Sequence, residues 1–346
     1  MIPVRNIYYM LSYAFQILQE QGYHNIATEN FENAAELYAA ILSKGISLQL
    51  KRGLNKYYIE AKEPLSAIRG KIDISDSVKT RSIMRTQLVC SYDEFSENSY
   101  FNKILKTTVM LLLKTDISKA RKKELKNLMM FFPNVDMLDV RNIDWHIRYN
   151  KNNRSYQLLL SICNLVIKGL LQTQQDGTAK LMNFIDEQRM CRLYEKFILE
   201  YYRKHYPSVS ANSEQIPWQL DDGISDMLPI MRSDIMLRKG DQVLIIDAKY
   251  YTHTTQLQYD THKLYSANLY QIFTYVKNKE YELRGTQHKV SGLLLYARTD
   301  EEILPDNTYF MSGNRIDVKT LDLNCNFDEI KAQLNSIVKD FFDYKE

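Results

Sequence analysis

Arg232-Ser233-Asp234-Ile235-Met236-Leu237-Arg238-Lys239-Gly240-Asp241-Gln242-Val243-Leu244-Ile245-Ile246-Asp247-Ala248-Lys249-Tyr250-Tyr251 reads as two β-strands joined by a tight turn. The break is Lys239-Gly240-Asp241-Gln242, where Gly240 supplies the positive φ that a two-residue hairpin loop requires. With Gly240 and Asp241 as the central turn residues, Asp234 stands opposite Asp247 and Met236 opposite Ile245. Alternation along a strand then puts Asp234, Asp247 and Lys249 on one face. Ile235, Leu237, Leu244, Ile246 and Ala248 take the other, which reads as a core face. Carboxylates directly opposite each other lie roughly 5 Å apart at Cβ and repel. A cation between them relieves that repulsion, so the hairpin predicts a divalent-metal site with a lysine beside it. The plain alternative is a solvated outer face carrying an exposed Asp pair, and Met236 and Ile245 on the same face speak against it.

The 346 residues suffice for two domains of ordinary size. With 45% hydrophobic and 25% charged residues the composition is globular, which argues against long disorder. A net charge of +3 is too small to mark a nucleic-acid protein by itself, so any basic surface must be local. Cys90, Cys163, Cys191 and Cys325 lie far apart with no CxxC pair. They predict neither a zinc site nor a disulfide framework and suit a reducing compartment. No apolar run approaches a membrane span, and the N-terminus carries Arg5 inside its apolar stretch with no cleavage-like end. The expectation is a soluble, cytoplasmic protein.

Outward from the hairpin, the chain predicts a helix over 5–20, a second over 31–44, and a small β-rich module over 47–92. That module is read from Ser47–Leu54, Tyr57–Ala61, Arg69–Ile74 and Thr86–Tyr92. Helices follow from Asn98 and over 118–132, the second opening on Lys119, Arg121, Lys122 and Lys123. These four suit contact with DNA phosphates, but the favoured reading is a solvated helix start. The polar stretch Asn150-Lys151-Asn152-Asn153-Arg154 marks the expected domain boundary, dividing 1–152 from 153–346. Helix 155–173 suits either side. A helix over 183–205, the hairpin, a helix over 260–279, a strand over 290–296, a strand near Tyr309 and a helix over 327–343 complete a mixed α/β (α+β) core.

The hairpin's chemistry is that of Mg²⁺, which takes oxygen ligands and is held by one or two carboxylates plus a substrate phosphate. Asp234 and Asp247 are such ligands, with the Ala248 carbonyl as a third. A metal there lowers the pKa of a bound water and neutralises charge building on the phosphate, while Lys249 orients the water or stabilises the transition state. Phosphodiester hydrolysis is the natural reaction. His253 and His262 flank the motif, but this chemistry needs no histidine.

Asp234 with Asp247-Ala248-Lys249 resembles the PD-(D/E)xK nuclease signature, with Ser233 standing where that family has its customary proline. Many such nucleases carry a Gln on the next helix with a Tyr one turn later. Gln271 and Tyr275 in Leu269-Tyr270-Gln271-Ile272-Phe273-Thr274-Tyr275 fit, on one helical face. The resemblance also implies an acid on the preceding helix, for which Glu195 is the candidate. The sequence alone favours an exposed helix glutamate paired with Lys196 or Arg192. Ile2-Pro3-Val4-Arg5-Asn6-Ile7-Tyr8-Tyr9-Met10-Leu11-Ser12-Tyr13-Ala14, Arg69-Gly70-Lys71-Ile72, the 98–107 region, Asp247-Ala248-Lys249-Tyr250-Tyr251 and Asn268-Leu269-Tyr270-Gln271 resemble the McrC family. These are the nuclease subunits of McrBC modification-dependent restriction systems.

The resemblance implies a C-terminal PD-(D/E)xK endonuclease domain that cuts double-stranded DNA with Mg²⁺. It further implies a partner, a McrB-like AAA+ GTPase ring, that recognises modified cytosine and binds the GTP. Consistent with that division, the chain has no G-x-x-x-x-G-K-[ST], since Arg69-Gly70-Lys71-Ile72 lacks both the upstream glycine and the hydroxyl residue. In the family the N-terminal part docks into the ring and stimulates GTP hydrolysis, for which the β-rich module is the candidate element. A double-strand break requires two cutting sites, so nuclease domains are expected to pair during cleavage. Two alternatives stay open: a non-catalytic activator of an NTPase with a vestigial nuclease fold, and a free-standing nuclease.

Overall fold

The structure, a computed structural model, describes residues 2–15, 18, 23, 26, 29, 31–150, 153–175, 187–251, 256–258, 261–298 and 304–342. In chain order the elements are α1 (Val4–Ala14), α2 (Ala34–Arg52), β1 (Tyr57–Leu65), β2 (Lys71–Ile72), α3 (Ile74–Lys79), β3 (Leu88–Ser96), α4 (Tyr100–Leu112), α5 (Lys119–Met129) and α6 (Tyr156–Gln175). There follow α7 (Glu187–His205), β4 (Ser210–Asn212), β5 (Gln215–Ile216), β6 (Met231–Arg232), β7 (Ile235–Lys239), β8 (Gln242–Lys249), β9 (Gln256–Gln258) and β10 (Thr261–Lys263). The last are α8 (Ser266–Glu282), β11 (Lys289–Ala297), β12 (Asn307–Met311), β13 (Asn314–Leu321) and α9 (Phe327–Phe342). The protein is thus mixed α+β. Among the described residues no helix is long and apolar enough to cross a membrane.

The chain forms two compact units, Asn33–Asn183 and the pair of segments Met1–Glu32 and Phe184–Glu346. This differs from the division at 152/153 that the polar stretch suggests. α1 packs on α7, where Asn6 Nδ2 donates to the carbonyls of Leu323 and Cys325 at 2.8 Å each and Tyr9 stacks on Phe327. The start of the chain therefore belongs with its C-terminal half. Asn150 and Asn153 exchange side-chain-to-backbone bonds of 2.7 and 3.1 Å, and the Asn153 carbonyl accepts from Tyr156 N at 2.9 Å. Asn153 and Arg154 thus lead by a turn into α6, which packs on α2 and α4 inside the Asn33–Asn183 unit. Polarity marked a turn, and a turn is not a linker.

In that unit β1, β3 and β2 form an antiparallel sheet in the order β1-β3-β2. The predicted strand at Ser47–Leu54 is the end of α2. Its apolar groups keep helical spacing through the buried Ile46 and Gln49, and Gly53 closes the helix at φ 91°. Ile74 likewise begins a helix, because Asp73 accepts a hydrogen bond from Asp76 N and caps α3. The β-rich module therefore spans Tyr57–Ser96. Asn102, fully buried on α4, donates to the carbonyls of Asn55 and Glu97 and accepts from the Tyr156 hydroxyl, tying the module's two ends to the helices.

In the other unit a six-stranded sheet runs β12-β13-β11-β8-β7-β4, with β11 parallel to β8 and β13 and the remaining pairs antiparallel. The β7–β8 register sets Met236 opposite Ile245 and Ile235 opposite Ile246, with Gly240 at φ 61° in the turn, as the hairpin reading predicts. Parallel β8 and β11 need a crossover, and α8 supplies it. α8 lays Ile272, Tyr275 and Val276 on Met236, Ile245, Leu294, Tyr296 and Val318. α7 covers β7 and β8, and its Tyr202 hydroxyl donates to the Leu334 carbonyl of α9. Ile235, Ile246 and Ala248 are fully buried as well, so neither face of the hairpin is a solvated exterior. β13 and the short β4, β5, β9 and β10 went unpredicted, and β10 takes the first residues of the helix expected over 260–279, whose observed start is Ser266. β4 and β5 lie in the polar run 207–226, which lacks the apolar alternation of a strand.

Candidate active site

Asp247 is placed by the strand that carries it. Residues 243–248 of β8 are all buried, and the Asp247 side chain is only 2% exposed in that apolar strand. Lys249, two residues on and on the same face, donates from Nζ to Asp247 Oδ1 at 2.9 Å. Asp247 Oδ2 lies 2.8 Å from the same nitrogen and is shut off from solvent, so the ammonium pairs with both carboxylate oxygens.

Asp234 precedes β7 and accepts from the backbone N–H of Ala248 at 2.9 Å through Oδ2, which brings it beside Asp247. Ser233, just before it, is buried and donates its backbone N–H to the Glu214 carbonyl at 3.0 Å. Proline could not make that bond. From α8, Gln271 turns its Oε1 to Lys249 Nζ at 3.1 Å and donates from Nε2 to the Tyr275 hydroxyl at 2.9 Å. The amide's orientation is thereby determined, carbonyl toward the ammonium.

Burial is the main force on the charges. It raises the Asp247 carboxyl to about 7, with Lys249 opposing and Asp234 adding to the rise. Asp234 is raised by burial too, against the pull of Lys249 and the Ala248 N–H. Burial pulls Lys249 down, but Asp247 and Asp234 together overcome it and hold the ammonium charged. Glu195 on α7 is half-buried, and its carboxyl is raised by burial first and by the charge of Asp234 second. Its side chain accepts from Cys191 Sγ at 3.1 Å, and that thiol also lies 3.8 Å from the Ala248 carbonyl oxygen. Glu195 therefore faces the aspartates and is not the exposed surface glutamate that the sequence alone favours.

Two carboxylates, with Glu195 near them, stand against one ammonium. This excess of hard oxygen donors suits a divalent cation, and the residues that fit are Asp234, Asp247 and the carbonyl of Ala248. Among the described residues no three His, Cys, Asp or Glu side chains converge closely enough to hold a metal by themselves. His253 and the side chain of His262 lie outside the described residues. Of the basic cluster on α5, Arg121 is engaged with Glu36 and Glu124, and Lys119 and Lys123 are exposed.

Three further groups border the site and escaped the sequence reading: Cys191, Asn268 and Tyr296. Asn268 had a visible signal, since it precedes Gln271 by three residues and so shares its helical face. Tyr296 did not, because it reaches Lys249 only through the parallel pairing of β11 with β8.

The family described as McrBC 5-methylcytosine restriction system component matches residues 4–297. The type IV methyl-directed restriction enzyme EcoKMcrBC of Escherichia coli K12 is 28% identical over 348 residues, covering 98% of each chain. Among solved structures, the refined half-complex from a tetradecameric assembly of Thermococcus gammatolerans McrB AAA+ hexamers with bound McrC superposes with a TM-score of 0.53 at 18% identity. That match covers 97% of this chain and 75% of that one, and it is a likeness of fold.

Proposed function

The chain belongs to the McrBC family of 5-methylcytosine restriction system components, and from that premise we propose that it is the DNA-cutting subunit of its system. The observation that carries this is the convergence of two buried carboxylates, Asp234 and Asp247, on the single ammonium of Lys249, which Gln271 also holds. We read the six-stranded unit as a PD-(D/E)xK nuclease domain and the reaction as phosphodiester hydrolysis. Asp234, Asp247 and the Ala248 carbonyl would hold Mg²⁺, which would polarise the phosphate and offset its developing charge.

The chain's own groups do the rest. Lys249, held between Asp247 Oδ1 and Gln271 Oε1, presents its ammonium to the non-bridging phosphate oxygens, where negative charge grows in the transition state. Gln271 orients Nζ from the side opposite Asp247, and Tyr275 fixes the amide that does so. Glu195, with its carboxyl raised, is suited to take the proton of the attacking water. Burial on both sheet faces supports a low-dielectric setting in which each of these charges acts strongly.

The partner we infer is a McrB-like AAA+ GTPase ring that selects DNA bearing modified cytosine and binds the GTP. The methyl-directed E. coli relative and the McrB-bound fold neighbour support this reading. The β-rich module Tyr57–Ser96 is the candidate docking element that stimulates GTP hydrolysis. Nuclease domains would pair to break both strands, in the cytoplasm where the DNA lies. The test is reconstitution with the ring, GTP, Mg²⁺ and DNA carrying modified cytosines. The expected result is cutting by wild type and none by Asp247→Ala, with GTP hydrolysis stimulated by both. Cutting by wild type without ring or GTP would instead mark a free-standing nuclease. Stimulation without cutting by wild type would mark an activator.

A further inference from the structure

Lys249 Nζ is held by two side chains, and one of them, Gln271, rides on α8. The position of α8 over the sheet therefore sets the position of the ammonium. Two features fix that seat. At Gly292 of β11 the helix comes as close as a backbone allows: an added Cβ would stand 2.8 Å from Ile272 Cγ1 and 2.9 Å from Val276 Cγ2. Ile272 directly follows Gln271, so this contact sets the height of the helix beside the glutamine.

The second feature holds the start of the helix. Asn268, in the first turn of α8 and only 6% exposed, donates from Nδ2 to the Tyr296 hydroxyl at 2.8 Å. Its Oδ1 accepts from the Tyr251 hydroxyl at 3.4 Å. Tyr296 is the β11 residue paired with Lys249, and Tyr251 lies two residues beyond Lys249 along the chain. Asn268 thus joins the strand neighbour of Lys249 to its chain neighbour, and three residues later the same helix delivers Gln271 to Nζ. The constraints close a ring around the ammonium: Lys249 to Tyr251 along the chain, Tyr251 to Asn268, Asn268 to Gln271 along α8, and Gln271 to Lys249. Tyr296 braces the ring from β11.

We propose that Asn268 is a positioning residue for DNA cleavage, which tethers the start of α8 to Tyr296 and Tyr251 so that Gln271 meets Lys249. The inference rests on the nuclease reading above. Displacing a group in an active site by about 1 Å costs on the order of 100-fold in rate, and loss of an outer hydrogen-bonding partner costs about 10- to 100-fold. Asn268→Ala in the reconstituted complex should lower the single-turnover cutting rate by about 10- to 100-fold, with DNA affinity and GTP hydrolysis unchanged. In a Gln271→Ala background the same substitution should cost no more than about 2-fold, because the route through Gln271 is already broken. Tyr296→Phe, which removes one of the two partners, should fall between wild type and Asn268→Ala.

An equal loss from Asn268→Ala with and without Gln271 would overturn the inference, as would cutting at the wild-type rate. A crystal structure of Asn268→Ala gives an answer that does not need activity. The expected result is Lys249 Nζ out of hydrogen-bond reach of Gln271 Oε1, and a retained bond overturns the tether. Failure of the wild type to cut would sink the nuclease reading, and the crystal structure would still decide the role of Asn268.

Discussion

Replacing Asp247 by Asn should make the metal-free protein more stable and do so in a pH-dependent way. The carboxyl has an ordinary value of 3.8 and is raised by burial to about 7 in the folded state. Each tenfold change in proton affinity is worth about 1.4 kcal/mol. An acid raised on folding contributes stability that is fully present below its unfolded value and is lost as pH climbs through its folded value. For Asp247 the loss runs from about pH 4 to about pH 7 and totals about 4 kcal/mol, of which less than half has been lost at pH 5. The side chain is 2% exposed, so solvent screens little of this. Asn keeps one acceptor for Lys249 but sets an amide nitrogen where Oδ2 now faces Nζ, which costs about 1 kcal/mol. The net gain of Asp247→Asn is then about 3 kcal/mol at pH 8 and under about 1 kcal/mol at pH 5. Urea unfolding in EDTA measures it. The chain has two tryptophans, and in a Trp145→Phe background Trp218 reports the six-stranded unit alone. A variant no more stable than wild type at pH 8, or equally stabilised at both pH values, would refute the electrostatic account of the site.

The same carboxylates make further outcomes measurable. Mg²⁺ should raise the urea midpoint of wild type, by about 2.7 kcal/mol at a hundredfold excess over its Kd, and leave Asp234→Asn/Asp247→Asn unmoved; a shift in the double variant would place the ion elsewhere. Gly292→Ala should destabilise by about 1–3 kcal/mol in thermal unfolding, because the new methyl meets Ile272 and Val276 under 3.0 Å. Asn102→Ala should cost about 2–4 kcal/mol in the unfolding of the Asn33–Asn183 unit, followed by Trp145 in a Trp218→Phe background. It strands the Asn55 and Glu97 carbonyls and the Tyr156 hydroxyl at once.

The hairpin was legible because three local rules agree on it. A glycine at the one position needing positive φ sets the turn, the turn sets the register, and alternation sets the face. The register brought Asp234 to Asp247 without knowledge of any other strand. Gln271 and Tyr275 were legible by helical spacing and by resemblance. The position of Glu195 was not, since helix spacing says nothing about which face of α7 meets the aspartates, and the charged neighbours Arg192 and Lys196 suggested solvent. Ser47–Leu54 misled for a different reason: a helix whose last turn alternates Leu48, Leu50 and polar residues mimics a strand when read in a short window. The boundary at 152 failed because a turn closed by two asparagines has the composition of a linker. That α1 joins the C-terminal half depends on Asn6 meeting carbonyls more than 300 residues away, and no local pattern encodes such a contact.

The central claim is that the Asp234–Asp247–Lys249 centre cuts DNA, and Asp247→Asn tests it most directly because the variant is expected to fold better than wild type. The measurement is single-turnover cleavage of DNA carrying modified cytosines by the complex with its GTPase ring, Mg²⁺ and GTP, with phosphate release followed in the same tube. A more stable Asp247→Asn that cuts at least about 1,000-fold more slowly while GTP hydrolysis continues is the predicted result. Cutting at the wild-type rate by that variant would contradict the account.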